Sequence, residues 1–229
     1  GARRARAHRY ARANATRGSS YEAATRWVGQ TAIALDPAVH GVQRSRVVCA
    51  QALGYALPQE LRFGLGQRDR ATQRPVVALV HGTSRADKEW PIAHWLELAR
   101  RLHRQGRGVV FPHGSNMELA RSEVMAETLR SEGVEAAVYP RLSLDALARE
   151  LARCAGVVGV DSGLSHIAVA LDLPHVQIYN FDTAWRTGPM APAHGPALQC
   201  SVFARPVPTV DTVWQAWQQV AAADAARAP

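Results

Sequence analysis

From residue 76 onward, short apolar runs alternate with amphipathic stretches, and this alternation most constrains the fold. Val76-Val-Ala-Leu-Val80 is continuous and apolar, as a strand buried on both faces should be. Val109–Phe111, Ala136–Tyr139, Val157–Val160 and Val176–Tyr179 repeat the pattern. Helices are predicted between them: 91–105, with Trp95, Leu98, Ala99 and Leu102 on one side; about 116–131; one capped by Ser143; and one starting near Gly163. A last amphipathic helix is predicted from Pro208 through Val220. Repeated strand–helix units predict an α/β fold, a doubly wound parallel sheet with helices on both faces.

Such sheets bind ligands at the carboxyl edge of the strands. The edge contains loops 81–90, 112–118, 140–143 and 161–166. The first is His81-Gly-Thr-Ser-Arg-Ala-Asp-Lys-Glu-Trp90, and it holds the only lysine among the chain's 27 basic residues. An ammonium is a compact point charge where arginine is a planar fork, so Lys88 suits a diphosphate, as do the Thr83 and Ser84 hydroxyls. The loop is no Walker A sequence, since Gly-Lys-[Ser/Thr] is absent. In Asp161-Ser-Gly-Leu-Ser-His166, Gly163 allows close backbone approach and the following helix start favours an anion. Asp161 would repel a phosphate and is better suited to sugar hydroxyls. Glu118 follows the second strand, where a carboxylate can hold a ribose diol. Leu142, after the third, can floor a nucleobase. Each has a plainer reading. Lys88 can be a surface residue of an arginine-rich chain, Asp161 or Ser162 a helix cap, and Glu118 an acid favoured by the helix dipole. Leu142 and His166 can be packed core.

Elsewhere the chain offers less. Residues 1–30 carry seven arginines against Glu22 and show no clear periodicity, so they are expected to be a disordered basic tail. The segment has one aromatic between its arginines before residue 20 and no nucleic-acid motif, and nucleic acid is not expected as a partner. Helical spacing of Val42, Val47, Val48, Ala52 and Leu53 predicts a partly helical segment at 31–57, and Pro58, Gly64, Gly66 and Pro75 mark a linker. Cys49, Cys154 and Cys200 lack metal-site spacing or a pairing pattern and fit a reducing compartment. Without a signal sequence or an apolar run of membrane length, the expectation is a cytoplasmic protein. No Gly-x-Ser-x-Gly elbow or specific carboxylate pair points to a hydrolase.

His81-Gly-Thr-Ser-Arg-Ala-Asp-Lys-Glu-Trp-Pro91, and Val160-Asp-Ser-Gly-Leu-Ser-His166 followed by Ala170-Leu-Asp-Leu-Pro174, resemble the lipopolysaccharide heptosyltransferases of glycosyltransferase family 9, the type I branch more than type II. The similarity spans roughly 38–222, with Arg44-Ser-Arg46 and Leu53-Gly-Tyr55 upstream. It implies a GT-B fold of two Rossmann-like domains: a C-terminal one binding the donor ADP-L-glycero-β-D-manno-heptose, and an N-terminal one binding Kdo-lipid A and supplying an Asp base. By resemblance, Thr83, Ser84 and Lys88 hold the diphosphate region, and Glu118 and Leu142 contact adenosine. Asp161, Ser162, Gly163 and His166 line the phosphate and heptose site. The implied transfer is inverting and needs no metal or other cofactor, by a monomer peripheral to the cytoplasmic face of the inner membrane. Asn180-Phe-Asp-Thr-Ala-Trp-Arg186 departs from the family's Gly-Pro-Thr-Asp-Pro type of loop.

The family's catalytic Asp should lie well over a hundred residues before Lys88, and only 87 residues precede it. The expectation is therefore a truncated enzyme that binds donor and has no catalytic residue of its own. Residues 1–30 would be tail, 31–74 a remnant of the acceptor domain with its linker, 75–222 the donor domain, and 223–229 a second tail. Two alternatives stay open: another sugar-nucleotide enzyme of GT-B architecture, or a non-catalytic nucleotide-binding or interaction module with a basic tail.

Overall fold

The computed structural model describes residues 7–65, 70–190 and 197–227. Parts of the expected N-terminal tail (1–6), linker (66–69) and C-terminal tail (228–229), and residues 191–196, lie outside the described residues. The chain divides into two compact units, 1–61 with 185–187, and 62–184 with 188–229.

In the smaller unit, strand β1 (Tyr10–Arg12) lies parallel to β2 (Thr31–Ile33), with helix α1 (Thr25–Val28) in the connection. Residues 7–30 are thus not the disordered tail that the arginine count suggested. The ladder is extended by a side chain: the Asn14 amide accepts from Leu35 N and donates to Leu35 O, both at 2.9 Å. Helix α2 (Gly41–Leu53) follows and ends on Gly54, whose φ of 71° is the left-handed conformation that glycine takes without strain. Ile33, Leu35 and Ala50 are buried in this unit.

The larger unit is the expected α/β sheet. Its strands are β3 (Arg74–Val80), β4 (Gly108–Phe111), β5 (Ala136–Val138), β6 (Cys154–Val160), β7 (His175–Tyr179) and β8 (Gln199–Phe203). All pair in parallel, in the order β5-β4-β3-β6-β7-β8. The side chains of β3 alternate between two cores, as a two-residue period requires. Val77 and Leu79 face α3 (Ile92–Arg104), α4 (Asn116–Ser131) and α8 (Val210–Ala225). Ala78 and Val80 face α5 (Leu144–Ala152) and α6 (Gly163–Ala170). Trp90 is 2% exposed, donates to Pro208 O at 2.8 Å and stands edge-on to Trp95. Strand β8 and the short helix α7 (Ala184–Thr187) were not expected. Helix α8 continues to Ala225, so the second tail begins later than residue 223. Among the described residues no helix is long and apolar enough to cross a membrane.

The chain enters the sheet at β3, moves outward to β5, and returns to place β6 on the other side of β3. The loops after β3 and β6 therefore diverge in opposite directions and leave a crevice at the carboxyl edge, where doubly wound sheets take ligands. Gly159 keeps the two strands close there. A Cβ on it would meet Ser165 Oγ at 2.6 Å and Val80 Cβ at 2.9 Å.

Candidate functional site

Lys88 ends a 3₁₀ turn, Ala86–Lys88, in the loop after β3. Its ammonium donates to Asp161 Oδ2 at 2.7 Å, joining residues that begin 73 positions apart. Their side chains are 22% and 8% exposed, so the pair is largely withdrawn from water. Asp161 Oδ1 accepts a long bond of 3.4 Å from Gln177 Nε2, on the fully buried middle of β7. His166 Nε2 lies 3.8 Å from the same Oδ1, and its side chain is half exposed. Lys88, Asp161 and His166 thus converge at the switch between the two halves of the sheet. Asp161 was expected to repel anions, but in the structure its charge is matched by Lys88.

Ser162 is the N-cap residue of α6, yet its hydroxyl makes no capping bond and is buried without a hydrogen-bond partner. Gly163 opens the helix and is exposed, with open space where a Cβ would stand. The first amides of a helix lack intrahelical acceptors and carry the positive end of its dipole. Ser165 Oγ donates to Val160 O at 2.6 Å, which ties this helix start to the end of β6.

Glu118 lies on the first turn of α4. Ser115 Oγ caps the helix by accepting from Glu118 N at 3.2 Å, and Glu118 Oε2 accepts from Gly114 N at 2.6 Å. The capping role and the site candidacy therefore coexist. The carboxylate lies over Gly82, where a Cβ would come within 2.5 Å of Oε1, so a side chain at the start of the Lys88 loop would push the carboxylate aside. Thr83 is half-buried and Ser84 exposed in the same loop. Leu142 is half-buried against the α5–α6 core, as its plainer reading held, with part of its surface still exposed.

Three further residues were not nominated from sequence. His81, 1% exposed, is bonded through Nε2 to Ser122 Oγ at 2.7 Å. Burial, reinforced by nearby Arg121, pushes its pKa down to about 4, so it is neutral near pH 7. Gln177 stands in the middle of β7, and Asn180 follows the strand's last residue. A polar residue inside an apolar strand run was the available signal for Gln177. A hollow of about 360 Å³ opens beyond β4 and β5, lined by His113, Asn116, Leu119, Glu123, Val138, Tyr139, Pro140 and Arg141. It contains none of the nominated residues, and the space beside Lys88 and Asp161 is much narrower. Among the described residues no group of three or more His, Cys, Asp or Glu side chains could hold a metal ion.

The sequence profile of glycosyltransferase family 9 (heptosyltransferase) matches residues 5–201, so the similarity begins well before residue 38 and includes the arginine-rich start. Lipopolysaccharide heptosyltransferase 1 of Pseudomonas aeruginosa is 40% identical over 144 residues, which are 61% of this chain and 39% of that protein. The enzyme of the same name from Escherichia coli K12 is 38% identical over 145 residues, 61% of this chain and 44% of its own length. The chain thus spans about two fifths of the curated relatives it matches. The solved structure of E. coli heptosyltransferase WaaC with ADP superposes with a TM-score of 0.72 at 27% identity, covering 88% of this chain and 63% of that one. With a parallel sheet flanked by helices and a profile match over most of its length, the chain belongs to glycosyltransferase family 9, the heptosyltransferases.

Proposed function

We propose that this chain carries the donor-binding part of a heptosyltransferase that moves L-glycero-D-manno-heptose from ADP-heptose to Kdo-lipid A, in the inner core of lipopolysaccharide. The observation that carries this reading is the Lys88–Asp161 pair at the switch point, beside the start of α6. An ammonium has three hydrogens. One engages Asp161, and the others are available to a diphosphate oxygen. The first α6 amides and the Ser162 hydroxyl supply further donors, with Thr83 and Ser84 on the facing loop. Glu118, which accepts one backbone bond, retains acceptor capacity for ribose hydroxyls. Leu142 supplies an apolar surface for adenine, and Asp161 with His166 faces the heptose.

In the reaction so read, an acceptor hydroxyl attacks the anomeric carbon. The bond from that carbon to the diphosphate oxygen breaks, and ADP leaves with the electron pair. Lys88 and the α6 dipole stabilise the negative charge that grows on the leaving group, a term that is often the largest in catalysis. Positive charge at this point is thus supplied by the chain itself. None of the nine residues is assigned to deprotonate the acceptor, a task the family gives to an Asp of the acceptor-binding domain. The acceptor is a lipid, so the reading places the enzyme at the cytoplasmic face of the inner membrane.

Calorimetric titration with ADP, ADP-heptose, UDP-glucose and UDP-N-acetylglucosamine tests the reading. The adenine compounds should bind, and Lys88→Ala should weaken them by at least about tenfold, the loss expected of a charge-assisted bond. Lys88→Arg should not fully restore affinity. Tighter binding of the UDP-sugars, or an unchanged Lys88→Ala variant, would contradict it.

A further inference from the structure

Asn180 follows the last residue of β7 and is 8% exposed. Its Nδ2 lies 3.0 Å from Asp87 O and 2.9 Å from Glu89 O, the two carbonyls that bracket Lys88. An amide nitrogen carries two hydrogens, so both bonds form together. The next residue adds a second contact, for the Arg85 guanidinium sits over the Phe181 ring at 5.8 Å. The Lys88 loop is therefore held from the β7 side at three of its residues.

The loop's own support is a short turn and the ion pair of Arg85 with Asp87. Its 3₁₀ turn makes the backbone bonds Lys88 N to Arg85 O and Glu89 N to Ala86 O. The lysine stem above it has four rotatable carbons. Asn180 Oδ1 is buried without a hydrogen-bond partner, a cost that an apolar side chain of similar shape would avoid. The amide is explained by its two donated bonds. We infer that Asn180 is a positioning residue for Lys88, fixing its backbone so that the ammonium reaches Asp161 and a donor diphosphate at once. The inference rests on the reading of Lys88 as a diphosphate ligand.

The test uses the 229-residue chain and its Asn180→Ala, Asn180→Ser, Lys88→Ala and Asn180→Ala/Lys88→Ala variants, titrated with ADP by calorimetry and with adenosine by NMR. Asn180→Ala should lose about tenfold in ADP affinity, the equivalent of the two lost bonds, and adenosine affinity should stay within about twofold. Asn180→Ser, which retains one donor, should fall between. The double variant should bind ADP no more weakly than Lys88→Ala alone, because Asn180 acts through Lys88. Three results would overturn the inference: Asn180→Ala binding ADP normally while Lys88→Ala does not, additive losses in the double variant, or an equal loss for adenosine, the mark of a general disturbance of the fold. If Lys88→Ala itself keeps full ADP affinity, the reading of Lys88 fails, and the inference fails with it.

Discussion

Replacing Lys88 by Met keeps the length of the side chain and removes its charge, leaving Asp161 in a site where it is 8% exposed. Breaking a buried ion pair from one side costs about 3–5 kcal/mol, because the remaining charge is desolvated without compensation. Lys88 keeps 22% of its surface in water, which lowers the figure to about 2–3 kcal/mol. Gln177 cannot offset much of this, since its bond to Asp161 Oδ1 is 3.4 Å long. Adding Asp161→Asn removes the orphaned charge at constant shape and should recover at least about half of the loss, roughly 1–1.5 kcal/mol, a coupling that the cost of Asp161→Asn alone completes. Urea unfolding of the wild type, both single variants and the double variant measures these terms. ADP affinity, read on the same four proteins, should stay low in the double variant, because the ammonium is still missing. A Lys88→Met cost below about 0.5 kcal/mol would show an ordinary surface pair, and the reasoning from burial would be wrong. A double variant no more stable than Lys88→Met would refute the coupling.

Other expectations follow from single contacts. Gly82→Ala places a methyl within 2.5 Å of Glu118 Oε1. The flexible carboxylate can swing away, so stability should fall by less than about 1 kcal/mol, whereas ADP affinity, followed by calorimetry, should drop if Glu118 holds the ribose. Trp90→Phe deletes the bond to Pro208 O in a buried setting and should cost about 1–2 kcal/mol in denaturant unfolding. Trp90→Ala should cost about 3–5 kcal/mol. His81 and His175 are both held down to about 4 by burial. The unfolded chain takes up these protons first as pH falls, so stability is full above about pH 6.5 and declines toward pH 4, by about 3 kcal/mol for each group. Urea midpoints at pH 7, 6 and 5 should fall in that order, and a flat profile would mean that the two rings are protonated in the folded state.

The sheet was legible because its strands are buried on both faces. Val76–Val80 and Val157–Val160 admit little else, and Trp95, Leu98 and Leu102 mark the inner face of α3 at helical spacing. The edge strand β8 was missed because Gln-Cys-Ser-Val-Phe buries only Val202, which leaves neither a continuous run nor a clean alternation. The pairing of β1 with β2 was missed for a related reason. Three-residue strands with mostly exposed side chains carry no periodicity, and charge dominated the reading. The carboxyl-edge rule selected loops 81–90 and 161–166, and the structure makes them neighbours through the pairing of β3 with β6. Loop spacing alone does not reveal that Lys88 meets Asp161, nor that Asn180 reaches back to the carbonyls on either side of Lys88. Both contacts depend on strand order. Glu118 shows the opposite limit: its capping signature was readable, but its position over Gly82 required coordinates.

A diphosphate is expected to bind where Lys88, Asp161 and the start of α6 converge. A crystal structure of the chain grown with ADP would locate it. The expected result is a phosphate oxygen in hydrogen-bonding range of Lys88 Nζ and of the first α6 amides, with Asp161 still paired to Lys88. A diphosphate bound elsewhere, for example in the hollow lined by His113 and Arg141, with Lys88 engaged by Asp161 alone, would contradict it.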